Sequence, residues 1–255
     1  MLNGRTAIIT GGTSGIGLAI ARGFAGAGAS VGILTLAPQA ELESVIEELK
    51  ALGVPAAGAQ ADISDIKAVT AATRSLQDRL GDVDILVNNA GIWEPNPVPE
   101  SPLALFDRHI DINLKGTFYV TNQLLPAMIA KGSGIIINIS SVSGVAGRAG
   151  DSAYSVSKAG VVMLTRTLAA ELGPKGIRIN CICPGAVATP LTAHLRTPEG
   201  EAAIETLMGK HPSPNKRFFM EPEDIAEIAL FLASDASRAI HGAIIAADEG
   251  LTATM

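Results

Sequence analysis

Tyr154-Ser-Val-Ser-Lys158 carries a phenol and an ammonium four residues apart, a spacing that puts both on one face of a helix. An unperturbed phenol, with a pKa near ~10, is a poor base at neutral pH. A cation alongside favours its ionised form and draws it toward the range of a working general acid or base. Ser141 lies at the end of a β-rich apolar run, where catalytic groups gather in open α/β sheets. On its own, a Tyr-x-x-x-Lys pair reads more readily as an exposed helix pair, so its weight depends on what else the chain brings to it.

A second group of residues supplies that weight. The apolar run 6–10 leads directly into Gly11-Gly-Thr13-Ser14-Gly15-Ile16-Gly17, and a helical pattern continues over 18–24. A strand, a glycine-rich turn and a helix N-terminus present backbone N–H groups and a positive dipole end to a pyrophosphate. Gly11 permits the tight turn, and Gly15 and Gly17 allow close approach. The spacing is G-x-x-x-G-x-G rather than the commoner G-x-G-x-x-G, and a plain strand–turn–helix junction is the competing reading. Gly23, Gly26 and Gly28 come at the helix end and read as packing and a C-terminal cap.

The elements that must position these residues follow from the apolar pattern. Short β-rich runs fall at 6–10, 30–34, 54–59, 83–87, 135–139, 177–183 and 243–247. Most are continuous rather than alternating, as expected for strands buried on both faces of a parallel sheet. Helical patterns over 40–52, 67–80 and 152–172 lie between them, so the chain predicts an α/β fold. Its core is a doubly wound parallel sheet of about seven strands with helices on both faces. One domain, 1–255, fits better than two. The rhythm breaks between Pro184 and Glu221, where four further prolines and a short helical patch over 199–208 interrupt it. Residues 186–217 are expected to form a substrate lid within the domain.

Composition limits the function classes. The 255 residues are 47% hydrophobic and carry 19 basic and 25 acidic side chains, a net charge of −6, which excludes disorder and argues against nucleic acid as a partner. No apolar stretch reaches the ~18 residues of a membrane span, and the N-terminus lacks the basic region of a signal peptide. Cys181 and Cys183 sit within an apolar run and read as buried thiols of a reducing, cytoplasmic compartment, with no metal site expected.

Taken together, the chain resembles a short-chain dehydrogenase/reductase of the single-domain Rossmann type over essentially its whole length. TGGTSGIG at 10–17 resembles the family's cofactor turn. Asp62, followed by Ile63, resembles the acid that meets the adenine amino group, and Asn88-Asn89-Ala90-Gly91 the motif beside the adenosine ribose. Asn113, Ser141, Tyr154 and Lys158 match the family's tetrad, including the thirteen-residue step from serine to tyrosine. Pro184-Gly185, Val187 and Thr189 resemble the segment that closes on the nicotinamide carboxamide.

The resemblance implies hydride transfer between a nicotinamide cofactor and a secondary alcohol/ketone pair. It implies Tyr154 as general acid/base, Lys158 lowering the tyrosine pKa and holding the nicotinamide ribose, and Ser141 bonding the reacting oxygen. Asn113 is implied to support a water that relays protons to Lys158. It also implies a homo-oligomer, a tetramer or dimer. Where NAD-dependent relatives carry an acid at the end of the second strand, this chain has Thr35, and the sites of the NADP-type cations are Leu36 and Ser14. Both charge signals are missing. NAD is the slightly preferred expectation over NADP, because a ribose hydroxyl accepts a neutral partner more readily than a phosphate does. The substrate pocket is expected to draw on Trp93, Ser143, Val145, Leu191 and His194, with Ile92, Arg148 and Leu195 beside them. Two further readings stand against this one. The first is a 3-oxoacyl-[acyl-carrier-protein] reductase, which needs basic docking residues and has one lysine at 130–133. The second is a non-catalytic dinucleotide-binding regulator, for which an intact tyrosine and lysine are unusual.

Overall fold

The computed structural model describes residues 1–200, 213–215 and 217–254. Along the chain run β1 (Thr6–Thr10), α1 (Gly15–Gly26), β2 (Ser30–Thr35), α2 (Gln39–Ala51), β3 (Ala56–Gln60), α3 (Ile66–Leu80) and β4 (Ile85–Asn88). The helix α4 (Leu103–His109) passes through a π-helical segment, Ile110–Gly116, into α5 (Thr117–Lys131). Then follow β5 (Gly134–Ile139), α6 (Ser152–Leu172), β6 (Ile177–Pro184), α7 (Pro222–Ala233) and β7 (Ile244–Ala247).

The strands form a seven-stranded sheet in the order β3-β2-β1-β4-β5-β6-β7, with every pairing parallel. This is the Rossmann-type α/β fold. Continuous apolar strands serve two faces at once: Ala7 and Ile9 of β1 enter the core shared with α1, α2 and α7, whereas Ile8 enters the core shared with α3 and α5. β5 repeats the division, with Ile135, Ile137 and Ile139 on the first side and Ile136 on the second. The chain reverses its winding direction between β1 and β4, and the carboxyl ends of these two strands open a crevice there.

Element boundaries differ from the sequence expectation by one or two residues, except that α1 already begins at the motif's Gly15. The sequence reading places no helix over 103–131. Pro126 lies within α5, and its buried stripe mixes Thr117 and Thr121 with Val120, Leu124 and Met128, which conceals an apolar period. Of the expected lid, Pro190–Leu195 form a 3₁₀ turn and Val187 pairs with Met220, whereas 201–212 and 216 lie outside the described residues, as does most of the 199–208 patch. Cys181 and Cys183 are free, buried thiols with sulfurs 3.9 Å apart. Among the described residues there is no cluster suited to a metal ion and no helix long and apolar enough to cross a membrane.

Candidate active site

The turn between β1 and α1 is built for contact with backbone. Gly11 adopts φ +65° and Gly15 φ +51°, left-handed values that favour glycine. A Cβ on Gly17 would stand 2.2 Å from the Gly11 carbonyl oxygen and 2.5 Å from Asn89 Nδ2, so turn and helix close on each other only without a side chain. Asn89 fixes this turn from the next strand over. Its Nδ2 donates to the carbonyls of Thr10 (2.9 Å) and Gly11 (3.1 Å), and the Thr10 hydroxyl accepts from the N–H groups of Asn89 and Ala90, both at 2.9 Å.

A buried polar ladder holds β4 and β5 together beneath the site. Asn88 Nδ2 donates to Thr121 Oγ1 (2.9 Å) and Asn138 Oδ1 (2.8 Å), and Asn138 Nδ2 donates to Thr165 Oγ1 (2.9 Å). It joins α5, both strands and α6 through side chains that would be costly to bury unpaired. Asn138, Thr121 and Thr165 escape sequence reading because their partnership is purely tertiary.

Tyr154 lies in the first turn of α6 and Lys158 one turn later, the Lys158 Nζ 5.8 Å from the phenol ring centre. Lys158 is buried and donates to the Ile139 carbonyl oxygen at 3.0 Å, and Ser140 Oγ donates to its backbone carbonyl at 2.8 Å. Ser141 leaves the end of β5 beside them, its Oγ accepting from Ser143 N–H at 3.1 Å. Asn113 occupies the π-helical segment, a local widening that recurs at functional sites. Its side chain is fully engaged: Oδ1 accepts from Ile92 N–H (2.8 Å), and Nδ2 donates to the Ile92 carbonyl (3.0 Å) and Ser157 Oγ (3.0 Å). The asparagine thus ties the segment after Gly91 to α6.

The electrostatics differ from the sequence expectation. Burial pushes the Tyr154 phenol up to about 12, against a lowering by the Ser141 hydroxyl and the Arg148 charge, and Lys158 is not among the groups that lower it. Burial also brings the Lys158 ammonium down to about 8. Desolvation is the largest cause of both shifts, so at neutral pH the phenol holds its proton.

A single cleft of about 790 Å³ joins the turn to the tyrosine. Gly11, Thr13, Ser14, Gly15, Ile16, Thr35, Asp62, Ile63, Asn89, Ala90, Gly91, Ser141, Tyr154, Lys158, Pro184, Gly185, Val187 and Thr189 line it. Of the expected substrate residues, Trp93, Ser143, Leu191 and His194 line it too. Val145 does not: the 3₁₀ turn Val142–Gly144 carries it past the wall, and its side chain faces solvent. Gly17 and Asn113 lie behind the lining, where they shape it. Glu41, Arg108, Asp151 and Phe218 also line the cleft without a sequence signal. His109, fully buried, accepts from Glu94 N–H through Nε2 and meets the Tyr154 ring edge-on, 6.2 Å between centres. Thr35 is buried with its hydroxyl 3.3 Å from that of Thr13 and accepting from Ala37 N–H.

Comparison with known proteins agrees with this geometry. A short-chain dehydrogenase family model described as enoyl-(acyl carrier protein) reductase matches residues 11–252. The chain is similar to the oxidoreductase UcpA of Escherichia coli (strain K12), with 40% identity over 98% of this chain and 95% of that protein. Among solved structures it is similar to levodione reductase (TM-score 0.93, 34% identity, all of both chains). It is also similar to a variant of actinorhodin polyketide ketoreductase solved with NADPH (TM-score 0.89, 34% identity, 97% of each chain). The chain belongs to the short-chain dehydrogenase/reductase family of oxidoreductases.

Proposed function

We propose that the chain transfers a hydride between a nicotinamide dinucleotide and a secondary alcohol/ketone pair, with Tyr154 as the proton donor and acceptor. The observation that carries this reading is the shared cleft: one continuous cavity has the glycine turn at one end and Tyr154, Ser141 and Lys158 at the other. The residues present fit such a cofactor. The turn leaves no room for a Cβ at Gly17, and Thr13, Ser14, Gly15 and Ile16 line the cleft at the N-terminus of α1, the kind of site that suits a pyrophosphate. When bound, the nicotinamide supplies the hydride chemistry itself.

This chain's own groups do the rest. Ser141 donates a hydrogen bond to the reacting oxygen and holds the carbonyl against the phenol. Tyr154, protonated at neutral pH, gives its proton to that oxygen during reduction, and as the phenolate, the form that the Ser141 hydroxyl and the Arg148 charge favour, takes it back during oxidation. Lys158 offers its remaining N–H donors to ribose hydroxyls, and His109 and Trp93 fix the phenol ring from two sides. Asn113 is a positioning residue that holds the Gly91–Ile92 backbone against α6.

The adenosine end favours NAD. Its charged lining residues among those described are Glu41 and Asp62, both acids, so a 2′-phosphate would meet negative charge and no cation. Steady-state assay of a panel of secondary alcohols and ketones with NAD(H) and NADP(H) tests the reading. Turnover with NAD(H) and a strong loss in Tyr154→Phe are expected. A chain that binds dinucleotide and turns over nothing in the panel would support the regulator instead.

A further inference from the structure

The substrate half of the cleft holds a cation that the reaction does not require. Arg148 lines it, just before the turn into α6, with its side chain about one-third exposed. Its Nε lies 3.9 Å from Asp151 Oδ2, beyond hydrogen-bond reach, and its guanidinium makes no hydrogen bond among the described residues. Asp151 is already engaged, since its Oδ1 accepts from Trp93 Nε1 at 2.9 Å and its side chain is nearly inaccessible. The other arginine of this half, Arg108, is occupied by Glu94 at 2.6 Å. Arg148 is also near enough to the phenol for its charge to be felt there.

A guanidinium held beside a closed carboxylate, with its terminal nitrogens lacking acceptors, is a fork awaiting a planar anion. Trp93 and His194, tilted against each other with ring centres 5.4 Å apart, line the same cleft and give it apolar surface. We propose that Arg148 binds a carboxylate of the substrate, so that this enzyme acts on hydroxy acids and their oxo acids in preference to neutral alcohols and ketones. The inference rests on the assignment of Tyr154 as the reacting residue, which fixes this part of the cleft as the substrate side.

The single tryptophan, Trp93, reports on the site directly. The protein saturated with NAD is titrated with cyclohexanecarboxylate and, separately, with cyclohexanecarboxamide, and tryptophan fluorescence is followed. The carboxylate is expected to bind about tenfold or more tightly than the neutral amide, and Arg148→Gln to erase that difference while still binding the amide. Arg148→Lys should retain part of the preference, as a point charge without the fork. Equal affinity for the two probes overturns the proposal, as does saturation by neither, or an Arg148→Gln variant that keeps the preference. The titration reads binding alone, so Tyr154→Phe should show the same selectivity. Loss of turnover in that variant, measured apart, decides the assignment of the reaction itself.

Discussion

The two ends of the cleft are built from different materials. The phosphate end is made of backbone: Gly11, Gly15 and Gly17 remove side chains from a turn that Asn89 and Thr10 then lock by hydrogen bonds to main-chain atoms. The reacting end is made of side chains brought from separate elements: Ser141 after β5, Tyr154 and Lys158 on α6, His109 from α4 and Trp93 from the segment after β4. A backbone site tolerates no added atoms and is indifferent to titration. A side-chain site loses its chemistry atom by atom and responds to pH. Substitutions should therefore separate affinity for the dinucleotide from the rate of the chemical step.

Lys158→Met should breach that separation most severely, because the lysine serves both ends. A fall of about 10³-fold in kcat/KM is expected, together with about tenfold weaker dinucleotide binding by titration calorimetry. Gly17→Ala should act on the other side of the divide. Its methyl group has no space beside the Gly11 carbonyl and Asn89, so the turn must open. A stability loss of about 1–3 kcal/mol in chemical denaturation and at least about tenfold weaker dinucleotide binding follow, with kcat at saturating cofactor far less affected.

The pH dependence belongs to the reacting end alone. Lys158, brought down to about 8, is charged below that pH and neutral above it, while Tyr154, pushed up to about 12, keeps its proton throughout. The kcat/KM for carbonyl reduction should be level below about pH 8 and decline above it, as the Lys158 ammonium loses its charge and one of the N–H donors it offers to the ribose. A profile level to pH 10 would show that the charge of Lys158 is not used. The smallest effect concerns the adenosine end. Thr35→Asp adds a third acid to Glu41 and Asp62 and should raise the NAD-to-NADP ratio of kcat/KM by about three- to tenfold after solvent screening. Preference for NADP in the wild type would show that a cation reaches this end from elsewhere.

The backbone end was the more legible of the two in the sequence. A glycine cluster between a strand and a helix has few other uses, and it stands in contiguous residues. The Tyr154–Lys158 pair was legible because one helical turn sets its geometry. Asp151 and Glu41 were not, since each reaches the cleft by the packing of an element whose own pattern says nothing of it, and neither was His109, which packs buried against the phenol ring. Val145 misled for the same reason, as its distance from Ser141 along the chain does not reveal that the 3₁₀ turn carries it outward. For the tyrosine's acidity, the helical spacing shows the neighbouring cation but not the burial that raises the phenol.

Tyr154→Phe tests the division most directly, because it removes one oxygen from the reacting end and nothing from the backbone cradle. Its single-turnover rate of carbonyl reduction and its dissociation constant for the dinucleotide should be measured on the same preparation. A rate lowered by about 10²–10⁴-fold with a dissociation constant unchanged within about threefold is the expected result. A rate that stays within about tenfold of the wild type, or a loss of affinity as large as the loss of rate, would contradict the account.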